Sequence, residues 1–310
     1  MQNQKKFSGL IAAPFTPFKA DGSLNLSRIP ALVKTLVAQN VSGAFVCGTT
    51  GEGSSLSTDE RKQVAEAWIE AAGGLAVIVH VGHNSLQECK ELGRHAAKLG
   101  VAAIAAHPPS FIRPGSVESL VRVCAEMAAA APELPFYYYH MPSMTGCGFN
   151  MTDFLEAAAD RIPTLAGVKF THENLMDYGC ARGVRDGKYE ILFGRDEMLL
   201  ASLALGARGA VGSTYNYAGR LYNEVIRRFD AGDLAGAREQ QLRAMRFIMT
   251  FLRYGDGINA GKAIMRMCGV DCGPVRLPHA DLSPEAYMKL EAELRQQGFF
   301  DFTVNAGDQK

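Results

Sequence analysis

Residues 43–74 read GAFVCGTTGEGSSLSTDERKQVAEAWIEAAGG, and this stretch decides the fold. An apolar run, Gly43–Gly48, precedes a glycine-rich turn and an amphipathic segment, Asp59–Ala72. Ser57 opens the Ser-x-x-Glu pattern of a helix capping box, and Gly73-Gly74 is typical of the end of a helix. The stretch therefore predicts one strand–turn–helix module.

The same module recurs along the chain at intervals of roughly 25–35 residues, as repeated βα units require. Eight apolar strand candidates are predicted: Ser8–Pro14, Gly43–Gly48, Ala76–Gly82, Ala102–His107, Pro135–Met141, Ala166–Phe170, Glu190–Gly194 and Gly209–Gly212. Helix candidates lie between them, for example Leu86–Leu99 and Val117–Ala130. This alternation predicts an α/β fold, a (β/α)₈ TIM barrel. A doubly wound open sheet has the same rhythm and is the alternative.

Strand signals stop near residue 218. Helical patterns then cover Leu221–Asp230, Leu234–Tyr254, Asn259–Met267 and Pro284–Gln297. We expect the barrel to occupy residues 1–230 and to carry the active site. Residues 231–310 are expected to form a C-terminal helical extension packed on the barrel.

Composition excludes several classes of protein. Lys plus Arg and Asp plus Glu both number 32, so the formal net charge is zero and a nucleic-acid partner is not expected. No run approaches the roughly 20 apolar residues of a membrane span. The seven cysteines are scattered without CxxC spacing, as expected of reduced thiols in a cytoplasmic protein. Lysines precede a short apolar run near the start, but Pro14 interrupts it, so we expect a polar tail rather than a signal peptide.

A (β/α)₈ barrel keeps its chemistry at the carboxyl ends of its strands. Polar residues gather at five of these ends in the sequence. On predicted strands 2, 5, 6, 7 and 8 they are Thr49, Thr50, Tyr139, Lys169, Thr171, Asp196, Glu197 and Ser213.

Lys169 lies within the apolar strand Ala166–Phe170. Burial disfavours the charged ammonium and leaves more free amine, the nucleophile that forms a Schiff base with a keto acid. Tyr139 lies one βα unit earlier, so we expect its phenol beside Lys169, where a phenol can transfer protons. A surface lysine and a tyrosine that only fills the strand are the alternatives.

The turn Gly48–Gly53 offers backbone amides and the hydroxyls of Thr49 and Thr50, which can hold a carboxylate; a plain βα turn is the alternative. Asp196 and Glu197 are interpreted as acceptors for the hydroxyls of a polyol, or else as the cap of a helix. His80 and His83 form an H-x-x-H, but positions i and i+3 of a strand face opposite sides, so no metal site is expected.

Three motifs occur together in this order: Gly48-Thr49-Thr50-Gly51-Glu52, Tyr139-His140-Met141-Pro142 and Gly167-Val168-Lys169. They resemble the dihydrodipicolinate synthase and N-acetylneuraminate lyase superfamily over nearly the full chain. The resemblance implies a lyase, a pyruvate-dependent class I aldolase, in which Lys169 forms the imine, Tyr139 transfers the proton, and Thr49 and Thr50 hold the carboxylate. It also implies a homotetramer that needs no metal or other cofactor.

The resemblance further implies which residues face the sugar: Thr171, Gly194, Asp196, Glu197 and Ser213, with Tyr254 near the sugar tail. Within the superfamily, residues 136–142 and 193–197 are most similar to enzymes that cleave the sialic acid N-acetylneuraminate to pyruvate and N-acetylmannosamine. Met144 stands where the synthases carry an arginine for a second carboxylate, which argues against synthase activity.

Two alternatives remain open. Arg195 is not expected in every sialic acid aldolase, so an aldolase acting on 2-keto-3-deoxy sugar acids is the second hypothesis. The third is a barrel that binds keto acids without catalysis, against which Lys169 and Tyr139 argue.

Overall fold

The computed structural model describes residues 7–303 and contains a closed barrel of eight parallel strands in chain order. The strands are β1 (Gly9–Ala12), β2 (Gly43–Val46), β3 (Ala76–His80), β4 (Ala103–Ala106), β5 (Phe136–His140), β6 (Leu165–Phe170), β7 (Glu190–Phe193) and β8 (Gly209–Gly212). The barrel closes where β1 pairs with β8 along four residues. The TIM barrel is therefore confirmed, and the open sheet is excluded.

Helices cover the outside of the barrel and continue beyond it. They are α1 (Ile29–Ala38), α2 (Thr58–Ala71), α3 (Leu86–Leu99), α4 (Val117–Ala128), α5 (Pro142–Thr145), α6 (Met151–Ala158), α7 (Leu175–Gly183), α8 (Leu199–Ala204), α9 (Tyr215–Asp230), α10 (Leu234–Phe251), α11 (Asn259–Met267) and α12 (Pro284–Gln296). Within residues 7–303, none of these helices has both the length and the apolar character of a membrane span.

Local signals in the sequence are found where they were predicted. The Ser57 hydroxyl accepts the amide of Glu60, and Glu60 accepts the amide of Ser57, which completes the capping box of α2. Gly100 ends α3 in the left-handed region at φ 66°, a conformation that favours glycine. These contacts fix the length of each helix and so the point at which the chain enters the next strand.

Strand alternation divides the core into two layers. Side chains inside the barrel form one cluster: Ile11, Phe45, Ile78, Ala103, Ala105, Tyr137, Tyr139, Met141, Leu192 and Val211. The intervening residues, such as Tyr138, Val168 and Phe170, pack outward against the helices. Small side chains on β4 leave room inside the barrel for the two tyrosines of β5.

The C-terminal helices extend the outer layer. α10 packs along α9, and α12 packs against α10 through the buried side chains of Leu290 and Leu294. The boundary expected at residue 230 falls between α9 and α10. The predicted polar tail at residues 1–6 and the last part of the extension, residues 304–310, lie outside the described residues.

Candidate active site

β6 carries Lys169 into the barrel interior, because Val168 and Phe170 on either side face outward. Lys169 is 4% exposed. Its Nζ lies 3.6 Å from the centre of the Tyr139 ring and 4.4 Å from that of Phe45. Within residues 7–303 it has no ion pair or hydrogen bond. The amine is therefore held by aromatic faces and keeps its nitrogen free of a carboxylate partner.

Tyr139 lies beside this amine because β5 and β6 pair in register at Tyr139 and Lys169. Its hydroxyl is 3.3 Å from the Thr49 hydroxyl and 3.2 Å from the sulfur of Met141. Tyr137 and Tyr139 point into the barrel, and Tyr138 points outward against the helices. The expected neighbourhood of lysine, tyrosine and threonine is thus found in the structure.

The turn after β2, residues 48–53, is called here the β2 loop. The side chains of Thr49 and Thr50 are half-buried at its centre. Among residues 7–303, the amides of Thr49, Thr50 and Gly51 donate to no acceptor. Free amides and hydroxyls of a tight turn can bind an anion, and the Thr49 hydroxyl adjoins that of Tyr139.

Asp196 lies at the end of β7, where it is buried and bonded to the residue that follows Ser213. Thr214 donates to its carboxylate from the backbone amide at 2.9 Å and from the hydroxyl at 2.6 Å. A side chain at Gly212 would lie 1.8 Å from the same carboxylate, so β8 needs glycine there. Burial raises the pKa of Asp196 to about 6, and the two bonds from Thr214 oppose this shift. The carboxylate does not cap its own helical turn, whose N-cap is Arg195.

Glu197, Thr171 and Gly194 lie around the opening of the barrel. Arg195 pairs with Glu173 and lies 3.6 Å from Glu197. The Thr171 hydroxyl is buried and has no partner among the residues the structure describes. A side chain at Gly194 would lie 2.0 Å from this hydroxyl, so glycine leaves the hydroxyl room. Gly194 therefore packs directly against Thr171, while Glu197 lies beside Arg195.

Ser213 is half-buried after β8, and Tyr254 is half-buried after α10. The Tyr254 hydroxyl donates to Glu293 on α12. No hydrogen bond in the described part of the chain joins Tyr254 to the other predicted site residues.

His80 is part of the packing beneath the site. Its Nδ1 lies 3.1 Å from the carbonyl of Cys47, and its Nε2 accepts the amide of His107. Burial holds the pKa of His80 well below its usual range. β3 ends at His80, so His83 belongs to the following loop. Among residues 7–303, no group of three His, Cys, Asp or Glu side chains could hold a metal ion.

Sequence reasoning missed three residues that shape this site. Arg61 is buried and donates to the carbonyls of His80 and Gly82, although its place in a charged helix start is typical of a surface residue. Thr214 bonds Asp196, and Met141 contacts Tyr139. For Thr214 the available signal was a polar residue next to Ser213. For Met141 it was a position two residues after Tyr139, which strand alternation places on the same face.

A lysine inside a (β/α)₈ barrel, beside a tyrosine and an anion-binding loop, defines a class I aldolase. The family model described as the dihydrodipicolinate synthetase family matches residues 6–297. The chain belongs to that family.

Individual relatives agree with this assignment. The N-acetylneuraminate lyase of Mus musculus is 44% identical over 301 residues, which cover 96% of this chain and 94% of that one. The solved structure of Proteus mirabilis N-acetylneuraminate lyase matches this protein with a TM-score of 0.92, and the two sequences are 44% identical. The match covers 95% of this chain and 100% of that chain. A Ruminococcus gnavus sialic acid aldolase, described as a catalytic lysine mutant, is 29% identical with a TM-score of 0.89, covering 97% of this chain and 100% of that chain.

Proposed function

We propose that this protein cleaves N-acetylneuraminate reversibly into pyruvate and N-acetylmannosamine through a Schiff base on Lys169. One observation carries the proposal. The Lys169 amine lies inside the barrel at 3.6 Å from the Tyr139 ring, and the Tyr139 hydroxyl in turn contacts Thr49 of the β2 loop. The nucleophile, the phenol that transfers the proton and the carboxylate site are thus close enough together for one keto acid to contact all three.

The first half of the reaction forms the imine. The β2 loop binds the carboxylate of the open-chain substrate through its free amides and the hydroxyls of Thr49 and Thr50. Lys169 Nζ attacks the C2 ketone, and loss of water leaves a protonated imine. Phe45 and the other apolar side chains around the amine exclude water from the reacting carbon.

The second half breaks the C3–C4 bond. Tyr139 relays the proton of the C4 hydroxyl: its oxygen accepts that proton while its own O–H proton passes to the substrate carboxylate, and the C3–C4 bonding electrons pass to the imine nitrogen. N-acetylmannosamine leaves as the aldehyde. The remaining enamine is protonated at C3, and hydrolysis releases pyruvate and the free lysine.

The polar groups at the opening fit a hydroxylated substrate. Thr171, Glu197 and Ser213 line the sugar side with Asp196 and Gly194, and Tyr254 is placed near the sugar tail only through its family position. Met144 is 62% exposed and apolar, and it cannot pair with the second carboxylate that a synthase substrate carries.

Assembly and location follow the family expectation: a cytoplasmic homotetramer. A groove of about 580 Å³ between α8 and α10 supports assembly, because its lining is almost wholly apolar: Met198, Leu200, Ala201, Ala204, Phe229, Leu234, Leu242 and Met245, with Arg238 and Gln241. All seven cysteines lie in the described part of the chain and are free thiols, which supports a reducing compartment. No metal takes part in the proposed steps.

The test combines a lyase assay with chemical trapping. Purified protein should release pyruvate from N-acetylneuraminate, detected by a coupled assay, at a higher kcat/KM than from 2-keto-3-deoxy sugar acids. Pyruvate with borohydride should label Lys169 and leave Lys262 unlabelled, because Lys262 is also buried but is ion-paired with Glu52. Preference for the sugar acids would select the alternative substrate, and a label elsewhere in active protein would refute the Schiff-base assignment.

A further inference from the structure

Glu52 ends the amide-bearing part of the β2 loop in an unusual conformation. Its φ is 53°, in the left-handed region that residues with a side chain rarely adopt. Such a conformation persists only where surrounding contacts hold it. Thr49 and Thr50 lie three and two residues before it, so the contacts that hold Glu52 also set the position of the proposed carboxylate site.

Both oxygens of the Glu52 carboxylate have partners from the C-terminal part of the chain. Oε1 lies 2.7 Å from Lys262 Nζ on α11, and Oε2 accepts the backbone amide of Arg276 at 2.7 Å. The Glu52 side chain is 0% exposed and that of Lys262 is 3% exposed. The pair is therefore an ion pair within the protein interior.

Lys262, like Glu52, has further contacts that hold its side chain in place. Its Nζ donates to the carbonyl of Pro274 at 2.7 Å and lies 4.2 Å from the centre of the Phe18 ring. Removing one member of a buried pair leaves an uncompensated charge, so the two residues depend on each other.

Contacts with the rest of the protein hold the β2 loop in place, but they leave its first amides without a hydrogen-bond acceptor. The Thr16 hydroxyl donates to the carbonyl of Gly51 at 2.6 Å. A side chain at Gly53 would lie 2.0 Å from the carbonyl of Cys47, so the loop packs closely on the end of β2. Glu52 adds the contacts to α11 and residue 276, while the preceding amides stay free.

We infer that Glu52 is a positioning residue for the reaction. Paired with Lys262, it holds the amides and hydroxyls of the β2 loop in the geometry that binds the carboxylate of the keto acid. It touches neither the substrate nor the reacting atoms. This role rests on the proposed function, because it assigns a carboxylate to the β2 loop.

The test is Glu52→Gln, which keeps the shape of the side chain and removes its charge. We expect the pyruvate concentration for half-maximal borohydride trapping to rise on the order of ten- to a hundredfold, because small displacements of binding groups have effects of this size. Trapping at saturating pyruvate should still reach Lys169, since the lysine itself is unchanged.

Two further variants separate positioning from stability. Glu52→Gln combined with Lys262→Met removes both charges and should recover the melting temperature, but not the pyruvate affinity, because methionine offers the loop no donor. Asp177→Asn alters another buried carboxylate, which bonds the amide of Met151 at the start of α6. It should lower the melting temperature and leave half-maximal trapping unchanged.

The double variant also supplies the measurement if Glu52→Gln alone does not fold. The inference is overturned if the double variant binds pyruvate as the unmodified protein does, since the pair would then contribute only stability.

A second measurement does not depend on pyruvate. The amides of Glu52 and Gly53 donate to the carbonyls of Thr49 and Gly48 within the β2 loop. Their hydrogen exchange should accelerate in Glu52→Gln and remain unchanged in Asp177→Asn. Failure of the unmodified protein to trap pyruvate would refute the proposed function alone, whereas unchanged exchange in Glu52→Gln would refute the role of Glu52.

Discussion

The Tyr139 hydroxyl has two neighbouring hydrogen-bond partners, and one of them is a weaker acceptor than the other. Its hydroxyl lies 3.3 Å from the oxygen of Thr49 and 3.2 Å from the sulfur of Met141. A thioether is a weak acceptor, so little free energy is lost when the phenol turns from the sulfur to a substrate. The resting contacts therefore keep the phenol inside the site and available for proton transfer.

Tyr139→Phe should separate imine formation from carbon–carbon cleavage. The ring that lies against Lys169 is kept, so borohydride trapping of pyruvate should persist. Cleavage should fall by about 10²–10⁴-fold, the usual contribution of a general acid–base group. The matched control is Tyr138→Phe on the outer face of β5, whose hydroxyl lies away from Lys169. Normal turnover by Tyr139→Phe would mean that another group moves the proton.

We expect Asp196 to make the activity depend on pH. Because burial raises its pKa to about 6, the carboxylate takes up a proton as the pH falls through that value. A protonated carboxyl is a poorer acceptor for sugar hydroxyls, so kcat/KM for N-acetylneuraminate should decrease below about pH 6. Asp196→Asn should lose this dependence and cleave about ten- to a hundredfold more slowly, while pyruvate trapping stays normal. A low-pH limb that persists in Asp196→Asn would assign the titration to another group.

The same substitution should stabilise the fold at neutral pH. The folded pKa of about 6 exceeds the unfolded value near 3.9, so the charged carboxylate costs free energy that is absent below about pH 4 and complete above about pH 6. Asparagine avoids that cost, which is on the order of 2–3 kcal/mol at most. Thermal melts of Asp196→Asn at pH 4 and pH 7.5 should show a gain only at the higher pH. A lower melting temperature at both values would make Asp196 a structural residue.

Sequence reasoning identified residues with a local signal and missed those defined by a distant partner. Lys169 could be predicted because a lysine is conspicuous in an apolar strand. Glu52 was quoted only as part of a motif, since its partner Arg276 lies 224 residues further along the chain. For the same reason, nothing in the sequence indicates that the Tyr254 hydroxyl bonds Glu293.

At the scale of elements, the approach of β6 to β7 sets the position of Lys169. A side chain at Gly167 would lie 1.8 Å from the carbonyl of Glu190 on β7, closer than any atoms can pack. Gly167 therefore allows the two strands to pair in the register that points Lys169 inward.

Gly167→Ala should push β6 away from β7 and displace Lys169 with it. We expect the free energy of unfolding to fall by about 1–3 kcal/mol, which is typical of overpacking. The fraction of the variant that folds should trap pyruvate more weakly. Gly74→Ala is the matched control, because no heavy atom lies within 4 Å of the added carbon. Chemical denaturation measures the first effect and borohydride trapping the second. Equal stability of the two variants would show that β6 adapts without cost.

The limits of the strands and helices show which element boundaries the sequence predicts well and which it does not. The eight predicted strands are all present and end within a few residues of their predicted limits, because buried apolar runs bounded by glycine have a strong signal. α9 begins at Tyr215 rather than at the predicted Leu221. Its first turn is rich in aromatic residues with low helix propensity and contains a non-helical residue, Ala218 at φ −123°, so packing determines that turn.

For the whole molecule, apolar side chains on the outside of α10 are the clearest sign of assembly. Leu242 is 50% exposed and Met249 is 68% exposed, and the two residues lie on one face of the helix. Such a face is costly to leave in water, and a second copy of the chain is the partner that we propose for it.

Leu242→Asp with Met249→Asp should weaken the assembly. Buried carboxylates without partners oppose association, so the mass measured by light scattering should fall below that of the unmodified protein. Met288→Asp on α12 replaces a side chain of similar exposure and serves as the control. A monomeric unmodified protein would contradict the proposed homotetramer, and an unchanged mass in the double variant would place the interface elsewhere.

The contact between Glu52 and Arg276 also bears on how the protein is made. Glu52 accepts the backbone amide of Arg276, which the ribosome adds 224 residues after Glu52 itself. By then all eight strands have already been synthesised. A nascent chain that has completed its barrel still lacks the two groups that neutralise and bond this carboxylate. We therefore expect a translation product truncated after α9 to contain Lys169 and Tyr139 yet to bind keto acids poorly, because the contacts of Glu52 with Lys262 and Arg276 would be missing.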